Sequence, residues 1–272
     1  MSTAEFKIIT PEIAQAMLVG NTINRPINRS HVDTIARDMK AGRYQMNGDP
    51  IRFDTDGTLL DGQHRLSAIV ASGTYHNMLL VRGLPRESIK TIDSGMKRTN
   101  GQRLTMEGVK YANSVSAALN VMCCVAKNTP RGGLTSNELF SVYSAHPGIV
   151  ESVRISVKSA VMPASFLSAL HYIGCYTGYK EEADAFVETM ISGIPAQNND
   201  PAIALRERLI RAHTASRSIQ RGLLMETMAA AWEAKRTHRE TKVIKTKKER
   251  NLEFHGWNEH ELFNGKVEDV AS

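Results

Sequence analysis

The stretch "IRFDTDGTLLDGQHRLSAIVASG", residues 51–73, decides the fold of the first part of the chain. Ile51 and Phe53 alternate with polar residues, "TDG" supplies a turn, and "TLL" returns as a second strand, which is the pattern of a β-hairpin. After Gly62, apolar residues recur at helical spacing until Gly73, which is a stop signal for a helix. The stretch therefore predicts two antiparallel strands that lead directly into a helix.

The junction between the second strand and this helix is Asp61-Gly62-Gln63-His64-Arg65, and it has the features of an anion site. A helix that begins near Gln63 directs its first free N–H groups, and the positive end of its dipole, beyond the strand. Gly62 permits a tight turn, while His64 and Arg65 can add charge-assisted hydrogen bonds to a phosphate. We expect phosphate binding here; an ordinary solvated helix start is the alternative.

The other segments before residue 105 also mix strands and helices. Sequence signals place a strand at 6–10, a helix at 11–19 after the N-cap Thr10, a helix from Ser30 to Gly42 opened by a Ser30-x-x-Asp33 capping box, a central strand at 78–81 and a short helix at 84–93.

From about Thr105 the pattern becomes helical. Helices are expected at 111–127, 136–145, 149–161, 164–178, 181–192, 201–213 and 216–238, with Thr135-x-x-Glu138 and Asp200-Pro201 as start signals. The predicted fold class is α+β. We expect a small mixed-sheet domain at 1–104, a mainly α-helical domain at 105–250 and an acidic tail at 251–272.

Composition limits the class of protein. The apolar fraction of 42% and the charged fraction of 23% are typical of a soluble globular protein. The chain has no apolar run of about 18 residues, and its N-terminus lacks the pattern of a signal peptide. Its three cysteines form no CxxC pair, which is typical of a reducing compartment. We therefore expect a cytoplasmic protein without a membrane partner.

The net charge of +6 is unevenly distributed. Residues 235–250 hold eight Lys or Arg against two Glu, whereas residues 251–272 hold five acids and one Lys. A basic segment of this kind can bind a nucleic-acid backbone, and a solvated helix end balanced by the acidic tail is the alternative. The candidate nucleic-acid-binding residues are Lys235, Arg236, Arg239, Lys242, Lys245, Lys247, Lys248 and Arg250.

The stretch "GNTINRPINRSHVDTIARDMKAGRYQMNGDPIRFDTDGTLLDGQHRLSAIVASG", residues 20–73, contains an Asn24-Arg25-Pro26 box and a Gly62-x-x-Arg65 loop. With these motifs, the chain from about residue 8 to residue 104 resembles the N-terminal domain of ParB-like proteins, which has the ParB/sulfiredoxin fold. The chain is most similar to the phage and bacterial subgroup that carries a DGQHR box. The later "TIDSGMKRT", residues 91–99, resembles a second loop of that subgroup.

The resemblance implies a pocket for a nucleotide or another phosphorylated group, and we expect a nucleoside triphosphate with Mg²⁺ as the cofactor. Its phosphate-binding residues would be Gly62, Gln63, His64 and Arg65, with Asn24 and Arg25 nearby and with Lys97, Arg98 and Thr99 closing over the pocket. Asp61 or Asp93 would bind Mg²⁺ between phosphate oxygens.

The chain departs from the family at Gln63. ParB partition proteins have a Glu at this position that is linked to CTP turnover, and sulfiredoxins have a Cys. Because Gln cannot act as a general base, we do not expect CTP hydrolysis of the ParB type, and the reductase chemistry of sulfiredoxins is excluded. We also find no convincing helix-turn-helix motif at 105–250.

Three functions follow from this interpretation. The first is a nucleotide-binding protein that acts on or near DNA through its helical half and basic segment. The second is an enzyme of nucleotide or modified-base metabolism, with Asp61, His64 and Asp93 as candidate acids or bases. The third is a non-catalytic regulatory or assembly protein, to which a homodimer would be suited.

Overall fold

The computed structural model describes residues 2–92, 98–215, 218–245 and 251–265. The chain divides into two compact units, Met1–Lys97 and Arg98–Ser272, which we call the sheet unit and the helical unit. A mixed sheet followed by helices confirms the α+β class. The boundary follows Lys97 rather than residue 104, since Leu104 is fully buried in the core of the helical unit.

A four-stranded sheet forms the centre of the sheet unit. Its strands are β1 (Thr3–Ile9), β2 (Ile51–Asp54), β3 (Leu59–Asp61) and β4 (His76–Leu84), in the spatial order β1-β4-β2-β3. β1 pairs with β4 and β2 pairs with β3 in antiparallel fashion, whereas β2 and β4 are parallel. The predicted hairpin is therefore confirmed, and the apolar run at 78–81 lies in an interior strand as expected.

Three α-helices pack with the sheet around one hydrophobic core. They are α1 (Pro11–Leu18), α2 (Arg29–Lys40) and α3 (Gln63–Ser72), and a 3₁₀ helix follows β4 at Arg86–Lys90. The core is formed mainly by aliphatic side chains from both kinds of element: Ile9, Val32, Ala36, Met39, Ile51, Leu59, Leu66, Ile69, Met78 and Leu80.

The start of α2 differs from the prediction. Its N-cap is Asn28, whose side-chain oxygen accepts from the His31 amide at 3.2 Å, so the Ser30-x-x-Asp33 capping box is wrong. Both Asn and Ser are good N-cap residues, and the earlier one is used here. The start of α1 is confirmed, because the Thr10 hydroxyl accepts from the Ile13 amide at 3.4 Å.

The helical unit contains nine α-helices within the described residues. They are α4 (Asn100–Met106), α5 (Ala112–Ala126), α6 (Ser136–Ala145), α7 (Ile149–Ser156), α8 (Ala164–Tyr176), α9 (Lys180–Ser192), α10 (Pro201–Thr214), α11 (Arg221–Arg236) and α12 (Glu259–Asn264). The seven predicted helices are present, although two of them, α7 and α11, are shorter than expected. Among the described helices, none has both the length and the hydrophobicity needed to cross a bilayer.

The described part of the predicted acidic tail packs into the helical unit. Leu252, Phe254 and Trp257 are buried in its core, and the Trp257 indole N–H donates to the Met122 carbonyl at 3.1 Å. The prediction of a tail rested on the acidic composition of the segment and did not take these apolar residues into account. Residues 251–265 are therefore part of the helical unit rather than a separate tail.

His146 fastens α12 to this core. It is fully buried, with Nδ1 3.0 Å from the Tyr172 hydroxyl and Nε2 3.0 Å from the Glu261 and Leu262 carbonyl oxygens. Burial lowers the pKa of His146, and the two carbonyls raise it only in part. The neutral ring is therefore the form that the folded helical unit favours.

We expect the helical unit to lose stability as the pH falls from 7 to 5. A histidine of the unfolded chain titrates near about 6.5, above the lowered pKa of folded His146, so the unfolded state takes up the proton first. The contribution of neutral His146 is complete above that pH, and it decreases below by at most about 1.4 kcal/mol per pH unit. Denaturation followed by tryptophan fluorescence measures this slope, because both tryptophans, Trp232 and Trp257, lie in the helical unit.

The matched variants are His146→Gln and His213→Gln. Glutamine can keep polar contacts at position 146 without titrating, so the pH slope should become smaller. His213 is exposed, and its replacement should leave the slope unchanged. An unchanged slope in His146→Gln would contradict the assignment to His146.

Candidate functional site

Gly62 forms the turn between β3 and α3. Its φ is +100°, in the left-handed region, and a Cβ added there would lie 3.0 Å from Cγ1 of Ile51. Both the conformation and the close approach therefore require glycine. Gly62, the N-cap of α3, has no side chain that could cap the helix, and the positive end of the α3 dipole lies at this turn.

The N-termini of α2 and α3 meet at this turn. The backbone N–H of Asn28, the N-cap of α2, donates to Nε2 of His64 in the first turn of α3 at 3.1 Å. Because Nε2 accepts, the ring proton of the neutral imidazole lies on Nδ1. The rings of His31 and His64 pack edge to face at 5.1 Å. The positive ends of two helix dipoles are thus held next to each other.

A chain of side-chain amides ties residues 21–25 to the junction. Asn24 donates to the Leu59 carbonyl at 2.6 Å and to Oδ1 of Asn21 at 2.8 Å. Asn21 in turn donates to Oε1 of Gln63 at 2.9 Å, and Nε2 of Gln63 donates to the Arg25 carbonyl at 3.0 Å. The structure thus brings the Asn24-Arg25 box beside the DGQHR loop, as predicted. Sequence reasoning missed Asn21, which has no motif of its own.

Gln63 uses both ends of its amide in this chain. The side chain is buried, and a glutamate at the same position could accept from Asn21 but could not donate to the Arg25 carbonyl. A glutamine at this position therefore has a structural effect that a glutamate would lack. It fixes the segment that carries Arg25.

Arg65 and Asp61 are engaged with the framework of the turn. The Arg65 guanidinium donates to the Asp49 carbonyl, to the Pro50 carbonyl at 2.8 Å and to Oδ2 of Asp61 at 3.1 Å. The same Asp61 oxygen accepts from Arg52 at 2.5 Å, and Oδ1 accepts from the Gly62 amide at 2.7 Å. These contacts use three of the five N–H donors of Arg65 and both oxygens of Asp61, so a direct phosphate contact by Arg65, or a role of Asp61 in acid–base chemistry or Mg²⁺ binding, would compete with them.

Two arginines beside the junction carry charge that is not neutralised. Arg25 and Arg29 are both exposed, and neither guanidinium has a hydrogen-bond or ion-pair partner in the part of the chain that the structure describes. The Arg25 carbonyl is bonded to Gln63, and Arg29 is the first residue of α2. Sequence reasoning singled out Arg25 but not Arg29, because it began the helix at Ser30.

The other predicted site residues, Asp93 and residues 97–99, lie outside the described part of the sheet unit. Asp93 and Lys97 lie outside the described residues. Arg98 and Thr99 belong to the helical unit, where the Thr99 hydroxyl accepts from the Gln102 amide at 3.2 Å and completes a capping box at the start of α4. The closing of residues 97–99 over the pocket stays a prediction.

The basic segment presents less free charge than its sequence suggests. Lys235 is only 4% exposed and forms a buried ion pair with Asp200 at 3.1 Å. Arg236 is bound by Glu233 at 2.8 Å and by the Tyr179 hydroxyl at 3.1 Å. Of the other candidates, Arg239, Lys242 and Lys245 are exposed, and Lys247, Lys248 and Arg250 lie outside the described residues.

A cavity of about 950 Å³ lies beside this segment in the helical unit. Its charged lining residues are Glu226, Glu233, Arg236, Arg239, Lys245 and Glu253. Three carboxylates balance three cations there, so the described lining is not a positively charged groove for a polyanion.

Comparison of the chain with protein-family models, with curated proteins and with solved structures finds no match. The resemblance to ParB-like proteins therefore stays a prediction that rests on the sequence motifs. The geometry of the junction between β3 and α3 is independent of that resemblance.

We expect Gly62→Ala to destabilise the sheet unit by roughly 2 to 4 kcal/mol. The alanine would have to adopt a left-handed backbone conformation, and its Cβ would lie too close to the Ile51 side chain. The matched control is Gly73→Ala at the other end of α3. Gly73 also has a positive φ, +68°, but its added Cβ would have nothing within 4 Å. Hydrogen exchange of residues 51–73 measures both variants, and equal losses of protection would argue against the Ile51 contact.

We expect Lys235→Met to destabilise the helical unit by roughly 3 to 5 kcal/mol, because Asp200 would keep a buried charge without its partner. The exposed Lys242→Met should change the free energy of unfolding by no more than about 0.5 kcal/mol. Urea denaturation followed by tryptophan fluorescence compares the two. A Lys235→Met protein as stable as the wild type would show that the ion pair is dispensable.

Proposed function

We propose that the sheet unit binds the phosphate groups of a nucleotide at the junction of β3 and α3. The observation that carries the proposal is the hydrogen bond from the Asn28 amide to His64, which holds the N-termini of α2 and α3 together. Free N–H groups at a helix N-terminus, together with the helix dipole, form a favourable site for an anion. When two helix N-termini lie next to each other, their electrostatic fields add.

The free charge beside this site comes from Arg25 and Arg29. An exposed guanidinium without a protein partner can form bidentate, charge-assisted hydrogen bonds with a phosphate. Arg65, by contrast, stabilises the turn between β3 and α3 through its hydrogen bond to the Pro50 carbonyl. We therefore assign phosphate contact to Arg25 and Arg29, and support of the turn to Arg65.

The arrangement favours binding over turnover. Asp61, the carboxylate of the DGQHR loop, is neutralised by Arg52 and Arg65. Nε2 of His64 accepts a backbone hydrogen bond, and both ends of the Gln63 amide are occupied. These contacts support a regulatory or assembly protein in which the nucleotide biases a conformational state, rather than a nucleotide-processing enzyme.

The proposal does not depend on DNA. Contact with DNA stays a prediction, and among the described candidates it is confined to the exposed Arg239, Lys242 and Lys245. A resemblance to ParB-like proteins of phages and bacteria is compatible with this arrangement.

We expect calorimetric titration of the full chain with ATP, CTP, GTP and UTP, each with Mg²⁺, to detect binding of at least one nucleotide. Arg29→Ala should weaken that binding by about ten- to a hundredfold, since a hydrogen bond to a charged group contributes roughly 1.5 to 3 kcal/mol. The matched control is Lys40→Ala, which removes an exposed charge from the opposite end of α2, about 16 Å away. It should change the affinity by less than about twofold, because charges that far apart are screened.

Three results would count against the proposal. If the wild-type protein binds none of the four nucleotides, the junction of β3 and α3 is not a binding site for nucleotide phosphates. Equal weakening by Arg29→Ala and Lys40→Ala would indicate general charge attraction instead of a site. Release of phosphate above background in the same mixtures would favour the enzyme over the regulatory protein.

A further inference from the structure

Three potential metal ligands meet where α8 packs on α9 in the helical unit. They are His171 and Cys175 of α8 and Asp184 of α9, and one donor atom from each lies within 4.8 Å of the other two. We propose that these residues bind a zinc ion that links the two helices. The site lies in a different unit from the junction of β3 and α3 and is independent of the proposed function.

The spacing of the donors is close to what zinc requires. His171 and Cys175 are four residues apart and so lie on the same face of α8. Nε2 of His171 is 2.9 Å from Oδ1 of Asp184 and 3.8 Å from Sγ of Cys175. Tetrahedral zinc, with bonds of about 2.0 to 2.3 Å, separates its ligand atoms by about 3.3 to 3.8 Å. Side-chain movements of about 1 Å are therefore sufficient.

One of these movements can be identified. The Cys175 sulfur lies 3.8 Å from Nε2 and 3.9 Å from Nδ1, so it is equally far from both ring nitrogens. Rotation of the Cys175 side chain toward Nε2, together with the opening of the His171–Asp184 hydrogen bond, would create the space for the ion.

The residues around the cluster orient its ligands. Oγ of Ser152, which is buried, is 2.8 Å from Nδ1 of His171. In the metal-free protein the ring proton on Nε2 is donated to Asp184, whose carboxylate can only accept. On zinc binding the ring proton would instead lie on Nδ1 and be donated to the Ser152 hydroxyl, which leaves the Nε2 lone pair for the ion, as in zinc sites whose histidines are held through their second nitrogen. Lys180 donates to Oδ2 of Asp184 at 2.7 Å and leaves Oδ1 for the ion.

The chemistry of the donors selects the metal. A nitrogen, a sulfur and one carboxylate oxygen suit zinc and related transition ions, whereas Mg²⁺ and Ca²⁺ prefer oxygen ligands only. Zinc would replace the thiol proton of Cys175, which leaves to solvent, and water would take the fourth position. The Asp184 side chain is 45% exposed and that of His171 only 6%, so the ion would enter from the side of Asp184. Bound zinc would stabilise the helical unit by mass action.

The test is titration of the metal-free full chain with Co²⁺, a spectroscopic probe for zinc sites, followed by Zn²⁺. We expect one Co²⁺ to bind with a thiolate-to-cobalt charge-transfer band, and Zn²⁺ to displace it. Cys175→Ser should abolish the band, whereas Cys124→Ala, at a buried thiol of α5, should keep it. Asp184→Asn should weaken binding by at least tenfold.

A second measurement covers the case in which Cys175→Ser fails to fold. Asp184 is partly exposed, so Asp184→Asn should fold, and Zn²⁺ should raise the denaturation midpoint of the wild-type helical unit but not that of this variant. Absence of Co²⁺ and Zn²⁺ binding in the wild type would overturn the proposal. A charge-transfer band that persists in Cys175→Ser would also overturn it, because another thiol would then be the ligand.

Discussion

The contacts of Arg65 hold the turn between β3 and α3 together. One guanidinium joins the first turn of α3 to the backbone just before β2, through the Asp49 and Pro50 carbonyls, and to the end of β3 through Asp61. With its side chain 15% exposed, this cation is shielded from solvent and has polar partners on several sides. The position of α3, and of all that bonds to its first turn, depends on this residue.

Two side chains next to Arg65 connect the first turn of α3 to other segments. His64 accepts a hydrogen bond from the N-cap residue of α2, and Gln63 is hydrogen-bonded to the segment that carries Asn21 and Arg25. Buried and exposed residues therefore have different roles in the proposed site. Buried and half-buried residues hold the backbone in place, and in the proposed site the exposed Arg25 and Arg29 would supply charge at the rim. A binding site gains from this separation, because donors that are already in place lose little entropy when an anion arrives.

Most local signals in the sequence predict the structure correctly, with the Ser30 capping box as an exception, whereas most contacts between distant residues could not be predicted. Thr10, Thr135 and Asp200 cap their helices as predicted, since an N-cap bonds within three residues of itself. The burial of Lys235 depends on Asp200, which lies 35 residues away, and no charge count can reveal such a pair.

The same limit applies to the site. The DGQHR loop and the Asn24-Arg25 box were predicted and do lie together, but the sequence could not show that Arg65 is engaged by carbonyls of residues 49 and 50. His171 and Cys175 could be recognised as a helical pair, yet their third partner, Asp184, is supplied by the packing of another helix.

The pairing of β1 with β4 has a consequence for how the protein is made. In the described sheet β1 lies at the edge, and its register with β4 joins Thr3 to Arg82. At about 5 to 20 residues per second, a ribosome would need roughly 4 to 16 s to synthesise the intervening chain. During that time Phe6 and Ile8 lack the strand with which β1 pairs, so β1, which precedes the other strands of the described sheet in the chain, is among the last to take its place in that sheet.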